Sequence, residues 1–307
     1  MTLVIILALL IGLLLGLLGG GGSVLTVPVL IYLLNVEPKT AFATSLLVVG
    51  TTSLIAMLGH ARAGRVCIRT GLVFGLAGML GAYGGGRLAA FIPGGILLLL
   101  FATLMFGTAF AMLRNRRAED SVTEKNAPLC PTHLPVMAIL FDGLLVGGMT
   151  GLVGAGGGFL IVPALNLLGG LRMHAAIGTS LLVIVMNSLA GLAGYIAHVH
   201  IDYHLAAVLT GFATLGSLIG GIFSNRIRAN MLRRFFGLFV IGIACYLLSR
   251  ELKPELLDET RELIIRHPDF LWGVATVILG FLLFRLREWI HTQGLHDDQG
   301  LIKHDSR

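Results

Sequence analysis

Apolar residues run in long blocks along this chain, separated by short polar stretches. The blocks cover residues 3–18, 24–34, 40–59, 70–91 and 95–113, then 136–153, 159–169, 175–197, 204–223 and 231–248. A last block, 270–284, follows the polar stretch 250–269. Blocks near 20 residues are long enough to cross a bilayer as helices. The pair 3–18 and 24–34 is different. Together they are too long for one straight crossing, and a glycine cluster divides them, with Pro28 soon after. Each glycine costs about 1 kcal/mol of helix propensity, so GGGGS at 19–23 and GAGGG at 154–158 predict breaks.

The chain repeats itself at an offset of 135 residues. Gly12–Gly59 lies over Gly147–Gly194 without a gap, and 20 of 48 positions are identical. The matches include Gly16/Gly151, Gly22/Gly157, Pro28/Pro163, Thr44/Thr179, Ser45/Ser180 and Ser53/Ser188. Two homologous halves are therefore expected: a first transmembrane repeat at 1–113 and a second at 136–249. A polar linker, 114–135, joins them on the cytoplasmic side. Residues 250–290 form an extracytoplasmic polar segment and an extra helix, and 291–307 a cytoplasmic tail.

Composition sharpens this. Hydrophobic residues make up 56% of the chain and charged residues 12%, too few charges to cover a water-soluble surface. The formal charge of +6 reads as an orientation signal. The Arg residues sit between apolar blocks, so no nucleic-acid partner is expected; lipid is. Cys67, Cys130 and Cys245 lie far apart without CxxC spacing, so no disulfide or metal framework is expected. The start, MTLVIILALLIGLLLGLL, lacks a basic leader region and a cleavage site and is expected to remain as structure.

The charges also bear on the broken element. If it crosses once, the 22 Lys and Arg divide evenly between the two sides. If it is re-entrant, only Lys39, Arg87, Arg250, Lys253, Arg261 and Arg266 lie outside, and 16 lie inside. The positive-inside rule prefers the second arrangement. The fold expected is an all-α integral membrane protein of two inverted repeats. Each repeat is a re-entrant broken helix plus three transmembrane helices, and one extra C-terminal transmembrane helix follows. Multi-pass placement in the inner (plasma) membrane, N-terminus outside and C-terminus cytoplasmic, goes with it; monomer and homodimer stay open.

A helix broken inside a membrane leaves N–H groups that lipid cannot satisfy. At the start of the returning helix they point one way, and the macrodipole adds about half a positive charge. Two such ends make an anion cradle. Its expected members are Gly20, Gly21, Gly22 and Ser23, with Ala155, Gly156, Gly157 and Gly158 opposite; Thr44, Ser45, Thr179 and Ser180 follow as hydroxyl donors. Packing alone is the bland reading of the glycines, and bonding to their own helix carbonyls is that of the hydroxyls. Asp142, near the start of its block, is the deepest carboxylate, and that scarcity favours an anionic or polar substrate. His60 is a proton-coupling candidate. His198, His200 and His204 read as interface histidines, with no metal and no cofactor expected.

The doubled pattern GLLLGLLGGGGSVLTVPVL with AFATSLLVV, and GGMTGLVGAGGGFLIVPAL with AAIGTSLLVI, resembles the TauE/SafE (sulfite exporter) family of membrane permeases over about residues 3–249. The resemblance implies export of sulfur-containing anions such as sulfite, sulfoacetate or other organosulfonates, driven by the proton gradient. Two departures stand out: Ser23 where its repeat-mate is Gly158, and the extra block 270–284. An anion channel is the alternative. A membrane enzyme is a weaker one, since HExxH, GxSxG and paired carboxylates are missing.

Overall fold

The computed structural model describes residues 2–18, 21–114, 130, 136–154, 156–168, 170–224 and 229–251. They fall within one compact unit, Met1–Lys253. Gly20, Ala155, the extra block 270–284 and most of the linker lie outside the described residues. Among the described residues every regular element is a helix. The first half holds α1 (Thr2–Leu18), α2 (Gly21–Pro28), α3 (Pro38–Arg62), α4 (Ile68–Leu88) and α5 (Gly94–Arg114). The second holds α6 (Val136–Val153), α7 (Gly158–Pro163), α8 (Met173–Ile196), α9 (Tyr203–Ser224) and α10 (Ala229–Glu251). Among them α3, α6, α8 and α9 contain stretches long and apolar enough to cross a membrane by length and composition.

The glycine clusters break the helices at narrower points than the composition implies. α2 begins at Gly21, so Gly21, Gly22 and Ser23 are already helical. In the second half Gly154, Gly156 and Gly157 take positive φ of 60°, 65° and 70°, a left-handed backbone that glycine adopts without steric cost. Pro28 and Pro163 sit inside α2 and α7. Proline has no N–H for the i→i−4 bond. Each short helix widens directly afterwards into a π turn, Val29–Leu33 and Ala164–Leu168.

Glycine then sets which helices touch. A β-carbon added at Gly12 would overlap the backbone of Ala213, and one at Gly16 that of Ser217. The numbers climb together, so α1 runs parallel to α9. One added at Gly147 would overlap the backbone of Gly78, and one at Gly151 that of Ala82, so α6 runs parallel to α4. The two sets differ by 135 at every position. α3 meets α8 the other way: Gly50 faces Ser188 and Gly191 faces Leu46, an antiparallel contact. The start of α1 (Val4, Ala8), the π turn and the residues just past its end (Leu30, Leu34, Val36), Ala41 of α3 and Leu205 and Leu209 of α9 share one apolar cluster. Large apolar side chains that remain exposed, such as Leu72, Leu76 and Leu80 on α4 and Leu215, Ile219 and Ile222 on α9, form stripes at helical spacing suited to lipid.

One expectation fails. Cys67, just before α4, is disulfide-bonded to Cys130 of the linker, with Cα atoms 5.6 Å apart. Residues 63 apart in sequence are joined because the fold brings Cys130 to the α3–α4 connection, which spacing rules cannot foresee.

Candidate functional site

The returning helices α2 and α7 pack against each other, and each also lies against the long helix that follows it, α3 and α8. Gly22 folds onto Ile11 and Leu15 of α1. Its repeat-mate Gly157 folds onto Thr150 of α6, whose hydroxyl is turned back to the Gly147 carbonyl at 2.9 Å. The absence of a side chain at these positions is what lets each short helix start close against the helix before it.

Gly157 caps α7 in the left-handed conformation and, as a glycine, offers that helix start no capping side chain. Its carbonyl accepts the N–H groups of Leu160 and Ile161 at 2.9 and 2.8 Å. The N–H groups of Gly158 and Phe159 come before the first intrahelical bond. Gly156 is buried, and a β-carbon there would lie 2.6 Å from Val49 Cγ1 and 3.5 Å from Ser188 Oγ. Gly154 packs on Phe42. Phe42, Ser45 and Val49 are spaced i, i+3 and i+7, so they share one face of α3, the face that meets the second break.

The hydroxyls divide. Ser45 is fully buried and its Oγ has no hydrogen-bond partner. Ser180, its repeat-mate, donates to the Ile177 carbonyl at 2.8 Å, as the bland reading foresaw. Thr179 Oγ1 accepts the Cys67 N–H at 2.9 Å and is committed to the α3–α4 connection, away from the break. Thr44 and Ser23 are buried within α3 and α2. Asp142 is 6% exposed, in the second turn of α6.

Three residues outside the expected set carry buried, unpartnered polar atoms: Ser53, Ser188 and Asn187. Asn187 packs on Gly78 of α4, while its repeat-mate Thr52 donates to the Val48 carbonyl. Both signals are present in the sequence. Ser53/Ser188 is an identity at the repeat offset, and an amide in the middle of the apolar block 175–197 is costly unless used.

His60 and Tyr195 also occupy equivalent positions. The Tyr195 hydroxyl donates to the Leu152 carbonyl at 2.6 Å, closing the last turn of α6. His60 lies beside Gly16, near the end of α1. It is 4% exposed, and its ring meets the Gly16 backbone without a hydrogen bond of ordinary geometry. Tyr195→Phe is expected to lower stability by about 1 kcal/mol by orphaning the Leu152 carbonyl, read as a fall in the melting temperature of the detergent-solubilised protein.

At the opposite end of α3, Lys39 Nζ donates to the Ala90 carbonyl at 2.8 Å. His198 follows α8; partial burial first, then Lys39 and Arg87, hold its pKa below the ordinary value. Among the described residues no group of three His, Cys, Asp or Glu is placed to hold a metal.

Residues 4–247 match the family model described as "Sulfite exporter TauE/SafE". A "Probable membrane transporter protein" of Xylella fastidiosa (strain 9a5c) is 36% identical over 248 residues, covering 78% of this chain and 92% of that protein. A "Probable membrane transporter protein YdhB" of Bacillus subtilis is 28% identical over 223 residues, covering 73% and 90%. The "Probable membrane transporter protein MJ0441" of Methanocaldococcus jannaschii is 28% identical over 202 residues, covering 64% and 72%. No solved structure matches the chain. With its apolar helices and the extent of these matches, the chain belongs to the sulfite exporter TauE/SafE family of membrane transporters.

Proposed function

We propose that the protein is a secondary transporter that exports small sulfur-containing anions, such as sulfite, sulfoacetate or other organosulfonates, by alternating access with proton coupling. The observation that carries this reading is the meeting of two broken helices, α2 and α7, beside fully buried hydroxyls without partners. Lipid cannot satisfy a helix start, and its partial positive charge suits an anion. Gly21, Gly22 and Ser23 on one side and Gly156, Gly157 and Gly158 on the other form the cradle. Ser45 reaches it from α3, and Thr44 and Ser180 support it from the long helices; Thr179, held by the Cys67 N–H, is left out of it.

The two halves are inverted about an axis in the membrane plane, an architecture of secondary transporters. The antiparallel contact of the equivalent helices α3 and α8 supports this. The cluster joining the start of α1, the end of the first π turn and the start of α3 supports a re-entrant first element. Each half is then a re-entrant broken helix plus three crossings, and the extra helix at 270–284 follows.

The test is flux of radiolabelled sulfite, sulfate, thiosulfate, sulfoacetate and acetate in vesicles holding the purified protein, with and without a pH gradient. Saturable sulfite or sulfonate flux that follows the pH gradient is expected. Equal flux of all anions at channel-like rates, or none, overturns the reading. His60 is the proposed proton-coupling group: His60→Gln is expected to keep anion binding and lose the response to the pH gradient.

The charge bias places the α3–α4 connection and the linker in the cytoplasm, with both termini oriented as that bias requires. A disulfide persists on the oxidising face of a membrane and is reduced in cytosol. Cys67 and Cys130 are therefore expected to be free thiols in growing cells and to pair on purification in air, read by alkylation before and after lysis. Full oxidation in intact cells would reverse the orientation.

A further inference from the structure

The contact of α3 with α8 holds two serines that no local bond uses. Ser53 and Ser188 are 0% and 1% exposed, and each Oγ lacks a partner. Leaving a buried hydroxyl unbonded costs about 1–3 kcal/mol, and a serine in a helix ordinarily avoids that by bonding a carbonyl one turn back. Ser180 and Ser217 do so, to Ile177 and Thr214. Ser53 and Ser188 do not.

Their position is specific. Ser188 packs on Gly50, whose added β-carbon would lie 2.9 Å from Ser188 Cβ, and its Oγ is 3.5 Å from the place of a β-carbon on Gly156. Gly156 thus brings a backbone free of side chain up to the Ser188 hydroxyl. The offset of 135 residues carries Ser188 and Gly156 onto Ser53 and Gly21. Ser53 lies three residues beyond Gly50, about 4.5 Å further along α3. As repeat-mates, Ser53 and Ser188 hold equivalent positions in α3 and α8, the two helices that meet antiparallel. Among the described residues no Lys or Arg is buried, so an anion here is held by neutral donors alone.

Resting on the function proposed above, we propose that Ser53 and Ser188 are the central pair of oxyanion donors, one from each half, each bonding an oxygen of a sulfite or sulfonate head beside the breaks. Three acceptor oxygens on one sulfur can meet both hydroxyls and a glycine N–H together; a planar carboxylate has one oxygen fewer. Shared donors from both halves also tie the ligand to the surface along which the halves move.

The test is sulfite binding to the purified full chain by calorimetry, with the melting temperature measured with and without sulfite. Ser188→Ala and Ser53→Ala are each expected to weaken sulfite binding about 10-fold, and to leave the ligand-free melting temperature unchanged or raised, because each removes an unbonded hydroxyl. Ser188→Thr, which keeps the hydroxyl, is expected to restore binding, and Ser217→Ala to bind as the parent does. Parent-like affinity in both alanine variants overturns this inference and leaves the transport reading standing. Failure of the parent chain to bind any oxyanion overturns both.

Discussion

Gly147→Leu is expected to stop the helical bundle from assembling in its native form. The β-carbon alone would overlap the carbonyl oxygen of Gly78, and it would lie 2.5 Å from Gly78 Cα. The obstacle is helix backbone, so no side-chain rotation relieves it. Overpacking of a close contact costs about 3 kcal/mol or more, a large share of the margin of a folded protein. The measurement is the yield and melting temperature of the monodisperse protein in detergent. Gly12→Leu is expected to do equal damage, because Gly12 meets Ala213 as Gly147 meets Gly78. Gly148→Ala is the contrast: its nearest neighbour, the Gly81 carbonyl oxygen, is 3.8 Å away, and a change of no more than about 0.5 kcal/mol is expected. A Gly147→Leu protein that melts like the parent would refute the close pairing of α4 with α6.

Gly156→Val is expected to abolish transport in a chain that still inserts. Two effects combine. The backbone at φ +65° is strained for any β-branched residue, and the added β-carbon would press on Val49 Cγ1 at 2.6 Å. Its branches would also fill the approach to the Ser188 hydroxyl. A fall of about 100-fold in initial sulfite flux, about 2.7 kcal/mol, is expected in reconstituted vesicles. Gly84→Ala has no atom within 4 Å of the new β-carbon and is expected to transport as the parent does. Unchanged flux in Gly156→Val would remove the second break from the site.

Much of this was legible in the residues. Apolar blocks give helices because a chain in lipid must satisfy its backbone within each segment. Glycine clusters mark breaks, and the 135-residue identity marks two halves, without any coordinates. Ser45 stood out in the sequence as a repeat-matched hydroxyl; that Phe42 and Val49, on its face of α3, meet the second break shows only in the structure. The role of Thr179 was not legible, because whether its hydroxyl serves a ligand or the Cys67 N–H depends on where the α3–α4 connection rests. Asn187 and Ser188 were visible as an amide in an apolar run and a repeat identity, but that their polar atoms stay unbonded shows only in the structure.

By itself, then, the order of residues determined the helices, the places where they break, the duplication and the family. Only the tertiary structure decided that α1 pairs with α9 and α6 with α4, that Cys67 meets Cys130, and which hydroxyls remain unbonded. The physical reason is range. Helix propensity and apolar patterning act within a few turns, whereas pairing depends on the approach of glycine-bearing surfaces far apart in the chain. A hydroxyl's state depends on every neighbour those approaches bring to it.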